Sequence, residues 1–186
     1  MVEKLKAGLG LTVSIFLIVA FTFGVHEFAH GIASLLLGYD TFVKLNSSGL
    51  ISGTYASKAH EQITDAAGPI VTLLQGVVGF LFSRKVSSTW PFLIVNAAFL
   101  MRVLAAVASL TGPNDEARLG IAWGVGFWTV HAIVLLVLLA LTIYTARATR
   151  AGWGLILAST VLTIIAMVVV VIVEPFAPTL TLRPFI

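Results

Sequence analysis

Long apolar runs that contain no charged residue alternate with short polar segments along the chain. The uncharged runs cover residues 7–26, 66–83, 86–101, 119–146 and 151–173. Most of them reach the roughly 20 residues that a helix needs to cross about 30 Å of hydrocarbon. The pattern therefore predicts an all-α polytopic membrane protein with about five transmembrane helices.

The bounds of the predicted helices follow from the positions of charges, glycines and prolines. The helices cover about residues 8–38, 64–83, 90–110, 119–146 and 152–173. Arg102 interrupts the third helix before its apolar run resumes. Pro69 falls in the first turn of the second predicted helix, where proline is tolerated because its missing N–H would have no intrahelical partner.

No internal repeat is visible, which favours one membrane-embedded domain over residues 1–186. Its core helices would lie within about residues 8–120, and two accessory helices within about 119–174. The one sizeable polar segment contains two short β-prone runs around an Asn-Ser-Ser-Gly turn. This arrangement predicts a short β-hairpin at residues 42–55, between the first and second helices, with unpaired edges.

The composition agrees with a membrane location. Of the 186 residues, 59% are hydrophobic and 10% are charged, whereas soluble domains carry about 25% charged residues. Lys4 and Lys6 precede the first apolar run, which is too long for a signal peptide and is followed by no small-residue cleavage pattern. We therefore expect a retained first helix in an integral protein of the lipid bilayer, and we place it in the cell membrane of a prokaryote.

The charges indicate a topology rather than a nucleic-acid partner, because the formal net charge is only +3. Six basic residues fall on the side of the N-terminus: Lys4, Lys6, Arg84, Lys85, Arg147 and Arg150. Four fall on the opposite side: Lys44, Lys58, Arg118 and Arg183. The positive-inside rule therefore predicts that the N-terminal side is cytoplasmic.

The stretch FGVHEFAHGIASLLLGYD in the first predicted helix contains a metal-binding pattern. His26, Glu27 and His30 match HExxH, in which the i, i+4 spacing places both imidazoles on one helix face and the glutamate can act as a general base. Thr22 and Ser34 extend this polar face by one turn in each direction. The alternative is a chance match whose polar groups pack helices together. Ionisable residues inside a membrane helix cost about 2.5–3.5 kcal/mol each, which favours a functional role.

A catalytic zinc site usually has three protein ligands and one open position. The chain contains no cysteine, so the third ligand must be a histidine or a carboxylate. His30 lies about 12 Å inside the end of the first predicted helix, and Asp115 follows a Gly-Pro break on the same side of the membrane. Asp115 is the first candidate for the third ligand. The alternative is that it is a solvated loop acid or a helix cap. Its neighbours Glu116 and Asn114 remain open as alternative ligands or as groups that support a ligand.

His131 is a second contender, because it lies in the fourth predicted helix at a depth close to that of His26. It could instead support a ligand, stabilise an oxyanion or form a hydrogen bond between helices. Asp65 and Glu61 are most simply solvated acids, and Glu174 most simply ends the fifth helix.

Three other polar residues lie within predicted membrane helices: Gln75, Asn96 and Arg102. We interpret them as groups that hold helices together. For Arg102 the alternative is an ion pair with an acid near the site.

Four stretches resemble the site-2 protease family, the intramembrane zinc metallopeptidases. They are HEFAHGIASLLLG (26–38), the hairpin ending in Gly53-Thr54, AAGPIVTLLQG (66–76) and GPNDEARLG (112–120). The resemblance covers roughly residues 10–120. The chain departs from the family where Glu116 follows Asp115, since the family has glycine there and an Asn-x-x-Pro lead before it, and the chain lacks a PDZ-like insertion.

The resemblance implies that His26, His30 and Asp115 bind one Zn²⁺ per chain and that Glu27 is the general base. Family members commonly place the metal nearer the cytosolic face, whereas the charge count puts this site on the opposite side. The sequence therefore leaves the orientation open.

The motif and the resemblance together predict an intramembrane zinc metalloprotease. It would hydrolyse a peptide bond in or near the transmembrane segment of a membrane protein substrate, and an edge of the hairpin could pair with the unwound substrate. The rival is a non-proteolytic metal-binding membrane protein, either a transporter or a scaffold that retains a substrate helix. Glu27 separates the two, because a transporter has less need for a base beside the metal.

Overall fold

The computed structural model describes residues 2–184, which form six α-helices and a three-stranded sheet. The helices are α1 (Val2–Leu36), α2 (Lys58–Ser83), α3 (Trp90–Ala108), α4 (Asp115–Ala122), α5 (Thr129–Ala148) and α6 (Trp153–Val173). The strands are β1 (Thr41–Val43), β2 (Ser48–Leu50) and β3 (Leu180–Leu182). A 3₁₀ turn at Glu174–Phe176 connects α6 towards β3.

Five of these helices, all but α4, are long and apolar enough to cross a membrane. Large apolar side chains on their outer faces are open to the surroundings: Leu17 is 65% exposed, Phe21 63%, Leu136 66% and Ile172 64%. Such a surface suits lipid rather than water. The predicted polytopic all-α class is confirmed.

The fourth predicted helix, residues 119–146, is wrong as a single element. The chain forms α4 and α5 there, separated by a turn in which Gly124 and Gly126 have φ angles of 69° and 97°. These left-handed conformations favour glycine and end a helix. Gly120 packs against the carbonyl of Gly126 so closely that a side chain would not fit.

The second helix begins earlier than predicted. The side chain of Ser57 accepts a hydrogen bond from the backbone N–H of His60 at 3.2 Å and caps α2 at Lys58. Pro69 therefore lies well inside α2 rather than in its first turn. The other bounds agree with the prediction to within a few residues, apart from the start of α1 at Val2.

The predicted hairpin is confirmed, and a third strand joins it. The sheet order is β2-β1-β3, and both pairs are antiparallel. Phe42 lies between Gly49 on β2 and Thr181 on β3. β1 is the central strand and pairs on both sides. The prediction of unpaired hairpin edges is therefore correct for β2 and wrong for β1.

The apolar core of the bundle lies between α1, α3 and α6. Ile15, Val19 and Phe23 of α1 are buried in one cluster with Phe92 of α3 and Met167 of α6. All three α1 residues precede the HExxH motif in the chain, so this core fills the bundle on the N-terminal side of the motif. The motif itself faces α2 and α4.

Candidate metal centre

His26 and His30 lie one turn apart on α1, with their Nε2 atoms 3.1 Å from each other. Asp115 begins α4, and its Oδ2 atom lies 3.1 Å from Nε2 of His26 and 3.3 Å from Nε2 of His30. In a tetrahedral zinc site with bonds of about 2.0–2.1 Å, neighbouring ligand atoms stand about 3.3 Å apart. The three atoms therefore match one face of such a tetrahedron, and these residues fit a zinc ion.

The hydrogen bonds of the imidazoles determine where their protons lie. Nδ1 of His30 lies 2.6 Å from the carbonyl oxygen of Thr64, which can only accept, so this nitrogen carries a proton. Thr72 donates its hydroxyl proton to the carbonyl of Gly68 at 3.0 Å and so accepts from Nδ1 of His26, also at 3.0 Å.

When both rings are neutral, each turns an unprotonated Nε2 towards the carboxylate, and the two lone pairs repel the carboxylate oxygen. Positive charge offsets this repulsion: Arg102 supplies part of it, with Nη2 3.5 Å from Nε2 of His26 and Nη1 3.7 Å from Oδ2 of Asp115, and a cation between the three donor atoms would supply more.

Helix α2 passes directly beside the histidine pair because position 68 is glycine. A β-carbon on Gly68 would collide with Nε2 of His30 and Cε1 of His26. This close approach lets Thr64 and Thr72 of the same helix reach the two Nδ1 atoms.

Two arginines lie beside Asp115, and Nη1 of one of them, Arg102, is 3.7 Å from Oδ2. Nη2 of Arg118 donates to Oδ1 of Asp115 at 2.8 Å, which leaves Oδ2 facing the histidines. Arg118 also forms a two-pronged bond with Asp65 at 2.7–3.0 Å, so the expectation that Asp65 is solvated is wrong. Burial alone would raise the pKa of Asp115, but hydrogen bonds and positive charge from the histidines, when they are protonated, hold that pKa well below its ordinary value, and a bound cation would act in the same direction. Burial alone would lower the pKa of Arg118, but the hydrogen bonds to Asp65 raise it.

The other candidate ligands lie outside the group of three donors. Glu116 is fully buried and accepts a hydrogen bond from Arg102 at 3.1 Å. His131 lies 3.9 Å from Glu116 and 3.1 Å from the hydroxyl of Ser109, rather than beside His26. Arg102 therefore pairs with an acid near the site, Glu116, which confirms the alternative prediction for Arg102.

Asn114 also makes contacts other than to the histidines. Its side-chain amide donates to the carbonyl of Ala105 at 2.5 Å, and it lines a cavity beside the site. Glu61 is exposed, as expected, and Glu174 lies at the end of α6, where it accepts from Ser47 at 2.5 Å.

Glu27 lies next to the histidine pair and between two cavities. The hydroxyl of Ser48 on β2 donates to its Oε2 at 2.7 Å, and the residue is 9% exposed. A cavity of about 470 Å³ extends from Glu27, His30 and Asp115 to Leu50 of β2. A second cavity of about 380 Å³ contacts Glu27 and Asp115 from the side of α3. The base candidate thus borders space on both sides.

The charges around the site favour a divalent cation. Four buried or partly buried carboxylates, those of Glu27, Asp65, Asp115 and Glu116, surround it together with two guanidinium groups, those of Arg102 and Arg118, while Glu61, which also borders the cavity, is exposed to solvent. With neutral histidines the cluster carries a formal charge of −2 from these six groups. One Zn²⁺ would bring it to neutrality, which a membrane interior favours.

Comparison with known proteins adds no assignment: no family model, no curated protein and no solved structure matches the chain. The case for a function therefore comes from the residues of this site.

Several residues of the site were not found from the sequence. The role of Arg118 has a weak signal, since it lies three residues after Asp115 on the same helix face. The roles of Thr72, Ser48 and Gly68 depend on contacts between elements and have no local signature.

Proposed function

We propose that the protein is an intramembrane zinc-dependent endopeptidase of a prokaryotic cell membrane. It would cleave a peptide bond in or near the transmembrane segment of another membrane protein, with one zinc ion per chain. The observation that carries the proposal is the convergence of His26, His30 and Asp115 at a cavity that also contains Glu27, within a bundle of membrane helices.

Zinc held by these three residues would supply Lewis-acid chemistry, polarising the scissile carbonyl and making water acidic enough to react near neutral pH. Thr64 and Thr72 orient the two histidines, and Arg118 orients Asp115. Such partners of metal ligands commonly set metal affinity.

Glu27 is proposed as the proton carrier. Ser48 occupies its Oε2, so Oε1 is the oxygen left to accept a proton from the attacking water. The same carboxyl group would then return that proton to the leaving nitrogen, which makes hydrolysis balanced in protons. Because Ser48 belongs to β2, the sheet positions the base as well as bordering the cavity.

The edge of β2 offers a place for the unwound substrate. The backbone N–H of Ile51 donates to the carbonyl of Asp40, and the N–H of Lys44 donates to the carbonyl of Ser47. These two hydrogen bonds show which residues along β2 direct their backbone groups towards β1. Hydrogen bonding alternates along an antiparallel strand, so the N–H groups of Ser48 and Leu50 point away from β1. A substrate segment added here would satisfy the backbone groups that lose their helical bonds in lipid.

One observation argues against a transporter, which is one form of the non-proteolytic alternative. A transporter needs a path from the metal to both sides of the membrane, but Ile15, Val19 and Phe23 fill the bundle between the site and the N-terminal end. A scaffold that retains a substrate helix needs no such path, and Glu27 distinguishes it from a protease.

The test compares wild type with Glu27→Gln in membranes of the source cell. Purified zinc-loaded protein is reconstituted with these membranes, and new protein N-termini are mapped by mass spectrometry. We expect wild type to generate termini in or beside transmembrane segments, and Glu27→Gln to lose them by at least about 100-fold, the scale of general acid–base catalysis.

Zinc content and cavity-lining controls complete the design. Glu27→Gln should keep one zinc per chain, because Glu27 is not among the three donors. Glu61→Gln, an exposed acid that borders the same cavity, should cleave like wild type. Equal cleavage by wild type and Glu27→Gln would reject the proposal in favour of a non-proteolytic role.

A further inference from the structure

The end of the bundle opposite the metal centre carries four exposed basic residues: Arg84, Lys85, Arg147 and Arg150. Within residues 2–184, the ion pairs closer than 4 Å involve other side chains, and none of these four has a carboxylate partner. Their positive charge is therefore available to an external anion.

Two of these arginines stand at the mouth of an apolar cavity of about 610 Å³ between α3, α5 and α6. Arg147 and Arg150 border its outer end, and Leu139 on α5 borders its inner part. From Arg147 to Leu139 the helix rises about 12 Å. This depth is most of one leaflet, since the hydrocarbon core is about 30 Å thick.

The backbone at Arg150 has a conformation that is uncommon for a residue with a side chain. Arg150 follows α5 with a φ of 53°, in the left-handed region. Helices commonly end on glycine or asparagine in this conformation. An arginine here keeps a guanidinium group at the cavity mouth despite the backbone strain.

We propose that this cavity binds one anionic glycerophospholipid from the leaflet on the N-terminal side. Its phosphate would contact Arg147 and Arg150, and one acyl chain would lie along Phe92 and Leu139. A transmembrane helix fits less well, because it satisfies its own backbone groups and brings no anion. The proposal stands independently of the peptidase function.

The experiment measures lipid binding to the purified full chain by native mass spectrometry in detergent. Dioleoyl-phosphatidylglycerol and dioleoyl-phosphatidylcholine are titrated separately, since they share acyl chains and ester groups but differ in net charge. We expect wild type to bind phosphatidylglycerol about 30-fold more tightly, because each basic residue near an anionic headgroup contributes a factor of about five.

Matched variants separate the cavity from general surface charge. Arg147→Gln/Arg150→Gln should lose the preference, whereas Arg84→Gln/Lys85→Gln removes the same charge from the same end outside the cavity and should keep it. Arg147→Lys/Arg150→Lys should also keep it, which controls for folding together with circular dichroism.

Equal affinity of wild type for the two lipids would overturn the proposal. An equal loss of preference in the Arg84/Lys85 and Arg147/Arg150 variants would also overturn it, since that result indicates diffuse surface charge.

Discussion

Gly68 of α2 lies so close to His30 of α1 that a β-carbon at position 68 would meet Nε2, the atom that faces the other donors of the site. The HExxH pattern places two imidazoles on one face of a helix, but it does not determine which atoms they present. That choice comes from the neighbouring helix, which approaches closely enough to bond both Nδ1 atoms. The geometry of the candidate metal centre is therefore a product of the contact between α1 and α2.

Gly68→Ala should weaken zinc binding severely. The new methyl group cannot fit without moving an imidazole, so we expect zinc affinity to fall at least about 100-fold, the upper end for disturbed support of a ligand. The measurement is competition with a chromophoric chelator. Gly24→Ala, which has no heavy atom within 4 Å of its added carbon, is the control on α1 and should bind like wild type.

Asp115→Ala should reduce zinc content as strongly as His26→Ala, because each removes one of three donor atoms that meet within 3.3 Å. Wild type should hold one zinc per chain by elemental analysis. His131→Ala removes a buried imidazole outside this group and should leave the zinc content unchanged. Loss of zinc from His131→Ala with retention in Asp115→Ala would reverse the assignment of the third ligand.

Thr72→Val should weaken zinc binding by about 10–100-fold without removing a ligand. The valine keeps the shape of threonine but leaves Nδ1 of His26 without an acceptor, so the ring loses its fixed tautomer. Chelator competition again gives the affinity. Thr12→Val removes a similar hydroxyl that bonds one turn back on α1, at 3.0 Å to the carbonyl of Gly8, and should have no effect. Equal affinities of Thr72→Val and wild type would show that this bond does not orient His26.

The sequence was sufficient for features that depend on one local pattern. Uncharged runs located the membrane helices, and the Asn-Ser-Ser-Gly turn located the hairpin. The break between α4 and α5 was missed because apolar residues continue through it, although Gly124 and Gly126 lie there. The continuous apolar run favoured a single helix over a break at these two glycines. In the fold, the left-handed backbone at both glycines ends α4.

Contacts between distant elements could not be predicted in the same way. In the sequence, Asp65 has the position of a loop acid before an apolar run. In the fold, α2 begins at Lys58, so Asp65 lies on this helix and accepts hydrogen bonds from Arg118. The third strand, β3, pairs with β1 from the other end of the chain and has only three residues. A short strand with a distant partner has no recognisable sequence period.

Leu50→Pro should lower proteolysis while zinc binding stays normal. Proline removes the outward N–H of β2, and losing one or two backbone bonds to a substrate costs about fivefold to tenfold in rate. Leu50→Ala keeps that N–H and is the matched control. Val43→Pro is unsuitable, because residue 43 points towards β3 and its replacement would disrupt the sheet.

Cleavage by these variants is measured with the N-terminus mapping described above, on a substrate that wild type cuts. Equal rates for Leu50→Pro and Leu50→Ala would remove β2 from substrate binding. Such a result would not bear on the proposed role of Glu27 as the base.

The buried pair of Arg102 and Glu116 should show strong coupling in a double-mutant cycle. Both side chains are nearly inaccessible, at 3% and 0% exposure, and their other charged contacts are longer, 3.7 Å from Arg102 to Asp115 and 3.9 Å from Glu116 to His131, so removing either partner leaves a buried charge poorly compensated. We expect Arg102→Met and Glu116→Leu each to lower the free energy of unfolding by about 3–5 kcal/mol, and the double variant to recover much of that loss. Unfolding by SDS in mixed micelles, on zinc-free protein, gives the four free energies.

The Lys44 and Glu174 pair, at 4.0 Å and partly exposed, is the control and should couple by less than about 1 kcal/mol. Additive losses in the Arg102 and Glu116 cycle would mean that the two charges are stabilised by separate partners, and that the acid beside Asp115 has no part in holding the third ligand.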